Sequence, residues 1–187
     1  MRIAIFSGSF NPIHNGHLAI AREVLAQGAA QELWFLVSPM NPLKINDNLL
    51  PQNERLAMVK LAIENEPGMK ASDFEFNLPL PSFTIKTLES LKTKYPANDF
   101  VLLIGGDNLV LFNKWFEYQR IIEEFGLIVY PRPGFITENL PAYHNTTFIT
   151  APLIDLSATQ IRAKLMNGES VADLVPEKVA LFLNRHQ

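Results

Sequence analysis

Short apolar runs recur along the chain at residues 3–6, 33–37, 100–104 and 127–130, with a further strand expected at 147–149. The runs are mostly unbroken rather than alternating, which suits strands covered on both faces. Between them the apolar spacing turns helical. It predicts helices over about 16–26, 54–66, 84–94, 157–166 and 176–185, and two short helical pieces before Glu124. Within 54–66, Leu56, Val59 and Ile63 fall on one stripe. Residues 69–76 read as one more strand, 41–53 as a polar loop, and 77–82, with two prolines, as irregular. Strands alternating with helices predict an α/β fold: a doubly wound parallel sheet with helices on both faces, as a single domain over 1–187. No repeat, linker or low-complexity tract interrupts the pattern.

Ligands of such sheets bind beyond the carboxyl ends of the strands. Residues 7–17, 38–44, 105–107 and 130–134 all follow strand ends, so they are expected to meet at one rim. The first group is the most telling. The strand at 3–6 breaks at Ser7-Gly8-Ser9-Phe10-Asn11-Pro12, and Ile13-His14-Asn15-Gly16-His17-Leu18 then opens a helical pattern. A Gly/Ser loop feeding a helix start aims backbone N–H groups and the positive end of the helix dipole at one point, which predicts a phosphate site. His14 and His17 lie three residues apart and share a helix face beside it. A structural explanation competes, because Gly8 and Gly16 would also serve a tight turn and close packing. Single histidines are also commonly surface or core residues; two at the start of the first helix favour the phosphate. The pattern is not the Gly-x-Gly-x-x-Gly fingerprint of dinucleotide binding, and it lacks the Gly-Lys-Ser/Thr of a Walker loop.

Composition narrows the class. The chain has 187 residues, enough for a full hydrophobic core. Hydrophobic residues are 48% and charged residues 19%, ordinary for a soluble globular protein. A net charge of −3 gives no support for nucleic-acid binding. The absence of cysteine excludes disulfides and thiolate metal sites. No apolar run approaches the ~20 residues of a membrane span, and the opening lacks the basic and long apolar regions of a signal peptide. A cytoplasmic enzyme with no membrane partner is expected. A homo-oligomer is allowed but not required.

Specific motifs sharpen this. Gly8-Ser9-Phe10-Asn11-Pro12-Ile13-His14-Asn15-Gly16-His17 resembles the His/Thr-x-Gly-His signature of nucleotidyltransferases. Leu156-Ser157-Ala158-Thr159-Gln160-Ile161-Arg162 resembles their second signature, Ile-Ser-x-Thr-x-Ile-Arg. Ile104-Gly105-Gly106-Asp107, with Trp115 eight residues after the Asp, resembles the bacterial nicotinate-nucleotide adenylyltransferases. Asn41-Pro42-Leu43-Lys44, Asn53-Glu54-Arg55 with Met58, and Ser82-Phe83-Thr84-Ile85-Lys86-Thr87-Leu88 agree with that branch. The chain departs from it at Asn11 (usually Asp), Ser9 (often Thr), Leu43 (His) and Leu80-Pro81 (Gly-Pro).

The resemblance implies a Rossmann-like fold and a reaction that joins ATP to nicotinate mononucleotide with release of pyrophosphate. Such chemistry requires two anions to be aligned and the leaving charge neutralised. His14 and His17 would then donate to ATP phosphates, Lys44 would supply a mobile point charge, and Arg162 a planar fork. Gly8, Ser9 and Phe10 would line the phosphate loop, and Ser157 and Thr159 would cap a helix whose free N–H groups hold phosphate. By the same resemblance Asp107, after Gly105, holds the adenosine ribose, and Arg132 lies near the base or phosphates. Trp115 stacks on the pyridine ring and Thr84 positions its carboxylate. Mg²⁺ would ride on the ATP phosphates, so no protein metal ligand is assigned. Each residue also has a plainer use: Trp115, Phe112 and Phe116 as core aromatics, Lys44 and Arg162 as solvated charges, 105–107 as a strand-ending turn. The competing functions are transfer to another acceptor, such as nicotinamide mononucleotide or phosphopantetheine, and a non-catalytic nucleotide sensor. A dehydrogenase lacks its fingerprint here.

Overall fold

The computed structural model of the chain describes residues 1–39, 49–80, 82–135, 140–153 and 155–185. In chain order the elements are β1 (Arg2–Gly8), α1 (Asn15–Ala26), β2 (Glu32–Val37), α2 (Gln52–Ala62), β3 (Met69–Ser72), a 3₁₀ turn (Phe74–Asn77) and α3 (Thr84–Lys94). Then come β4 (Asp99–Gly105), α4 (Gly106–Val110), a second 3₁₀ turn (Phe112–Lys114), α5 (Tyr118–Glu124), β5 (Leu127–Tyr130), β6 (Thr146–Phe148), α6 (Ala158–Met166) and α7 (Glu177–Arg185). The strands form one sheet in the order β3-β2-β1-β4-β5-β6, every neighbour parallel.

Alternate residues of each strand enter two separate cores. Ala4, Phe6, Phe35, Val37, Leu103 and Ile128 pack with α1, α2, α6 and α7. Ile3, Ile5, Trp34, Leu36, Leu102 and Val129 pack with α3, α4 and α5. Both faces are therefore dry, which is why the strands read as continuous apolar runs. Chain winding runs outward from the centre in both directions. The path β1-β2-β3 goes one way and β4-β5-β6 the other, so the switch falls between β1 and β4. A crevice opens there, between Gly8 and Gly105, the last residues of the two strands. Among the described residues no helix is long and apolar enough to cross a membrane.

The expected strand at 69–76 ends early. It pairs with β2 only from Leu33↔Met69 to Leu36↔Ser72. The Ser72 hydroxyl then accepts the Phe74 N–H at 3.2 Å, and Phe76 N–H bonds back to the Asp73 carbonyl at 2.9 Å. This local hydroxyl bond competes with the ladder and turns the chain, and it brings Glu75 inward. α2 begins two residues before the expected Glu54, at Gln52, and stops at Ala62 rather than 66. Much of the expected loop at 41–53 lies outside the described residues.

Phe35, fully buried on β2, packs its ring edge-on to Phe10 at 5.4 Å and against Phe6 at 5.6 Å. It is the floor on which the loop after β1 rests. Phe35→Ala is expected to cost about 3–5 kcal/mol of unfolding free energy. Urea unfolding followed by circular dichroism checks this; a loss below about 1 kcal/mol would mean that the ring is loosely packed.

Candidate active site

The loop after β1 is shaped by its own side chains. Ser38 N–H bonds the Gly8 carbonyl at 2.9 Å, so the ladder continues to the last residue of the strand. Phe10 then adopts φ +46°, the left-handed region that a non-glycine residue enters at a cost. Its buried ring, wedged against Phe6, Phe35 and His17, holds it there. Asn11 is also buried; its side-chain oxygen accepts the Leu50 N–H at 3.2 Å. Among the described residues the Phe10 N–H has no partner. The start of α1 is less open than the sequence suggests. Asn15 N–H is taken by the Leu174 carbonyl at 3.0 Å and His17 N–H by His14 O at 2.9 Å.

His14 and His17 stack with ring centroids 3.6 Å apart and planes 27° from parallel. His14 N–H donates to His17 Nδ1 at 3.2 Å. That nitrogen must be bare to accept, so a neutral His17 carries its proton on Nε2. His14 Nδ1 is buried with no hydrogen-bond partner. Burial, with the Arg132 charge adding to it, lowers the His14 pKa from 6.5 to about 4. Burial, His14 and Arg132 push His17 well below its ordinary value. Both imidazoles are neutral near pH 7. They can donate to an anion, but they bring no charge of their own.

These groups line a cleft of about 590 Å³ over the β1/β4 switch. One side holds Gly8, Ser9, Phe10, His14 and His17. A second side holds Gly105, Asp107, Arg132, Ser157 and Thr159. A recess of about 200 Å³ extends from there, between Arg132, Pro133, Phe135 and Leu156. Asp107 Oδ1 is buried without a hydrogen bond, with Arg132 Nε 3.9 Å away. A Cβ at Gly105 would lie 2.4 Å from that oxygen, so only glycine lets the carboxylate fold back over the strand end. At the far end, Thr84 opens α3. That helix has no acidic residue in its first turn and no side-chain cap, so its positive end faces the cleft. Trp115, together with Phe83 and Phe116, whose rings lie 4.7 Å apart and 38° from parallel, forms an aromatic wall beside it.

The cleft thus gathers most of the residues singled out in the sequence, with two exceptions. Lys44 lies outside the described residues. Arg162 does not line the cleft: its Nη1 donates to Asn11 O at 2.9 Å and its Nη2 to Thr159 Oγ1 at 3.2 Å, so the fork braces the loop after β1 from behind. Ser157 caps α6, its Oγ accepting Gln160 N–H at 3.3 Å while Gln160 Oε1 accepts Ser157 N–H at 2.7 Å. Trp115 belongs to the cleft and Phe112 to the core. The sequence did not point to Glu75, a buried carboxyl at the cleft floor that accepts the Ser7 hydroxyl at 3.3 Å. Burial raises its pKa, against the hydroxyls of Ser7, Thr87 and Ser38 that face it. Lys114 also lines the cleft. Neither carries a spacing signal that could have marked it.

Comparison with known proteins agrees with this geometry. A family described as cytidylyltransferase-like matches residues 5–164. A Bacteroides fragilis protein named a probable nicotinate-nucleotide adenylyltransferase is 46% identical over 170 residues, covering 91% of this chain and 85% of its own. One of the same name from Cytophaga hutchinsonii is 44% identical over 186 residues, covering 99% and 97%. The structure of Plasmodium falciparum nicotinic acid mononucleotide adenylyltransferase complexed with NaAD superposes with a TM-score of 0.82. It is 19% identical and covers 99% of this chain and 95% of that one. The fold and cleft define a nucleotidyltransferase of the cytidylyltransferase-like class. Within that class the chain belongs to the nicotinate-nucleotide adenylyltransferase family.

The neutral histidines make a pH prediction. Folded His14 binds its proton near pH 4 and the unfolded residue near 6.5. Between these values the unfolded chain holds more protons, so His14 lowers stability as pH falls from about 6.5 towards 4. From pH 7 to 5 the wild type is expected to lose on the order of 2 kcal/mol more than His14→Gln. Urea titrations at the two pH values measure it. Equal losses would place a charged, solvated imidazole at position 14.

Proposed function

We propose that this cleft transfers the adenylyl group of ATP to nicotinate mononucleotide, giving nicotinate adenine dinucleotide and pyrophosphate for NAD synthesis. The acceptor phosphate oxygen bonds the α-phosphorus of ATP as the bond to the β-phosphate oxygen breaks. The electron pair leaves with pyrophosphate. The attacking group is already an anion, so the reaction needs alignment and charge stabilisation rather than a strong base. ATP enters as its Mg²⁺ complex, in the cytoplasm. Its triphosphate meets the β1 loop, where the Phe10 N–H and His17 Nε2–H act as fixed donors; the recess beside Arg132 is of a size for the adenine, and Asp107 faces the ribose hydroxyls. Lys44 adds a cation to the phosphates, Ser157 and Thr159 place the start of α6 beside them, and Arg162 keeps the loop in register.

The observation that carries the acceptor choice is the uncapped start of α3 beside the aromatic wall. A flat ring can stack on Trp115 while its substituent meets the backbone N–H groups at Thr84. A carboxylate offers only acceptors to those donors, whereas a carboxamide also brings an NH₂ that they oppose. Relatives named for the nicotinate form agree.

Pyrophosphate release measured side by side with nicotinate mononucleotide, nicotinamide mononucleotide and phosphopantetheine tests this. kcat/KM for the nicotinate form is expected to exceed that for the amide by at least about a hundredfold. Trp115→Ala is expected to raise KM for the mononucleotide about tenfold, the worth of one stacking contact, with little change for ATP. Equal efficiency with both pyridine nucleotides would overturn the acceptor assignment, and turnover with phosphopantetheine alone would overturn the function.

A further inference from the structure

Arg55, on α2, is 1% exposed and has no carboxylate partner among the described residues. A buried guanidinium without a counter-ion is costly and must be held by hydrogen bonds. Here four carbonyls do so. Nε donates to Leu50 O at 2.9 Å, Nη1 to Ser9 O at 2.6 Å and Ser38 O at 2.8 Å, and Nη2 to Pro39 O at 3.1 Å. Four of its five N–H donors are thereby met. One side chain joins the chain beyond β1, the chain beyond β2 and the approach to α2. Burial lowers its pKa from the usual arginine range, as expected for a cation held only by dipoles.

The shortest of these bonds is to Ser9, and its consequence follows from peptide geometry. The peptide bond after Ser9 is trans, since Asn11-Pro12 is the cis bond recorded among the described residues. In a trans peptide the carbonyl and the next N–H point in opposite directions. Arg55 pulls the Ser9 carbonyl down into the protein, so the Phe10 N–H points away from Arg55. Gly8, Ser9 and Phe10 line the cleft, and Arg55 does not. Among the described residues the Phe10 N–H also has no hydrogen-bond partner. Holding Phe10 at φ +46° opposes the backbone's own preference, and the Arg55 bond to the Ser9 carbonyl adds to the packing of the Phe10 ring in holding this orientation.

We infer that Arg55 is a positioning residue for adenylyl transfer: through the Ser9 carbonyl it aims the Phe10 N–H at the leaving pyrophosphate. The assignment rests on the function proposed above. Lysine cannot substitute, because three tetrahedral donors do not reproduce a planar fork across four carbonyls. Arg55 makes no contact with the acceptor end, so its loss should act on kcat and leave acceptor binding alone.

The experiment compares wild type, Arg55→Lys and Arg55→Ala well below their melting temperatures. Both variants are expected to lose about a hundredfold in kcat, the worth of one donor to a developing anion. KM for nicotinate mononucleotide should stay within a small factor. Millimolar guanidinium should restore most of the lost kcat in Arg55→Ala by filling the vacated space. A kcat that falls only in proportion to the folded fraction overturns the assignment, as does guanidinium that restores melting temperature but not kcat. If neither variant folds, the wild type decides. With ¹⁵N-labelled phenylalanine, the Phe10 amide resonance should move strongly on adding inorganic pyrophosphate, and an unmoved resonance overturns the assignment. Pyrophosphate binding needs no acceptor. A wild type that moves the Phe10 resonance but transfers no adenylyl group would sink the function and leave the aim of this amide standing.

Discussion

The hydrogen bond from the His14 backbone to His17 Nδ1, 3.2 Å long, is the contact on which the site depends. It satisfies an amide at the start of α1 that would otherwise be an orphan. It also fixes which nitrogen of His17 is bare. The ring is then locked by its stack on His14 and by edge contacts to Phe6 and Phe10. Without this bond the imidazole would be free to turn its acceptor face to a phosphate, which repels rather than attracts. With it, the cleft gains a donor whose orientation is set before any substrate arrives. Preorganised donors of this kind cost no rearrangement at the moment of reaction.

The rest of the β1 end of the cleft follows the same logic. At the β1 loop the donors are neutral imidazole and backbone amide, and two arginines that do not line the cleft stand behind them. Arg55 holds Ser9 from below, and Arg162 holds Asn11 from behind. Arg132 adds positive potential that helps keep both histidines unprotonated. Short, fixed, uncharged donors favour the geometry in which charge is moving onto the leaving group.

Much of this was legible in the sequence. The strands at 3–6, 33–37, 100–104 and 127–130 announce themselves because two helical layers cover the sheet, leaving no polar face to break the runs. The β1 loop and the two histidines stood out because a Gly/Ser loop between a strand and a helix start is followed by two imidazoles three residues apart on one helix face. What the sequence did not show has one physical cause: local polar bonds and burial that no periodicity records. Ser72 ends β3 with a hydroxyl bond. Arg55 was legible only as part of the Asn53-Glu54-Arg55 motif, and nothing in its helical spacing shows that it is among the most buried large side chains described. Arg162 was expected to offer its fork to phosphate, and in the structure the fork bonds Asn11 O and Thr159 Oγ1. A charged side chain surrounded by main-chain carbonyls leaves no trace in composition, because its partners are present at every residue.

The most direct test of this account is the protonation state of His17 itself. Nitrogen NMR on the ¹⁵N-histidine protein distinguishes a bare ring nitrogen from a protonated one. The account predicts a bare Nδ1 and a protonated Nε2 throughout the range around neutral pH, with the Nε2 signal alone responding strongly when ATP is added. A proton on Nδ1, or a ring doubly protonated near neutral pH, would contradict it.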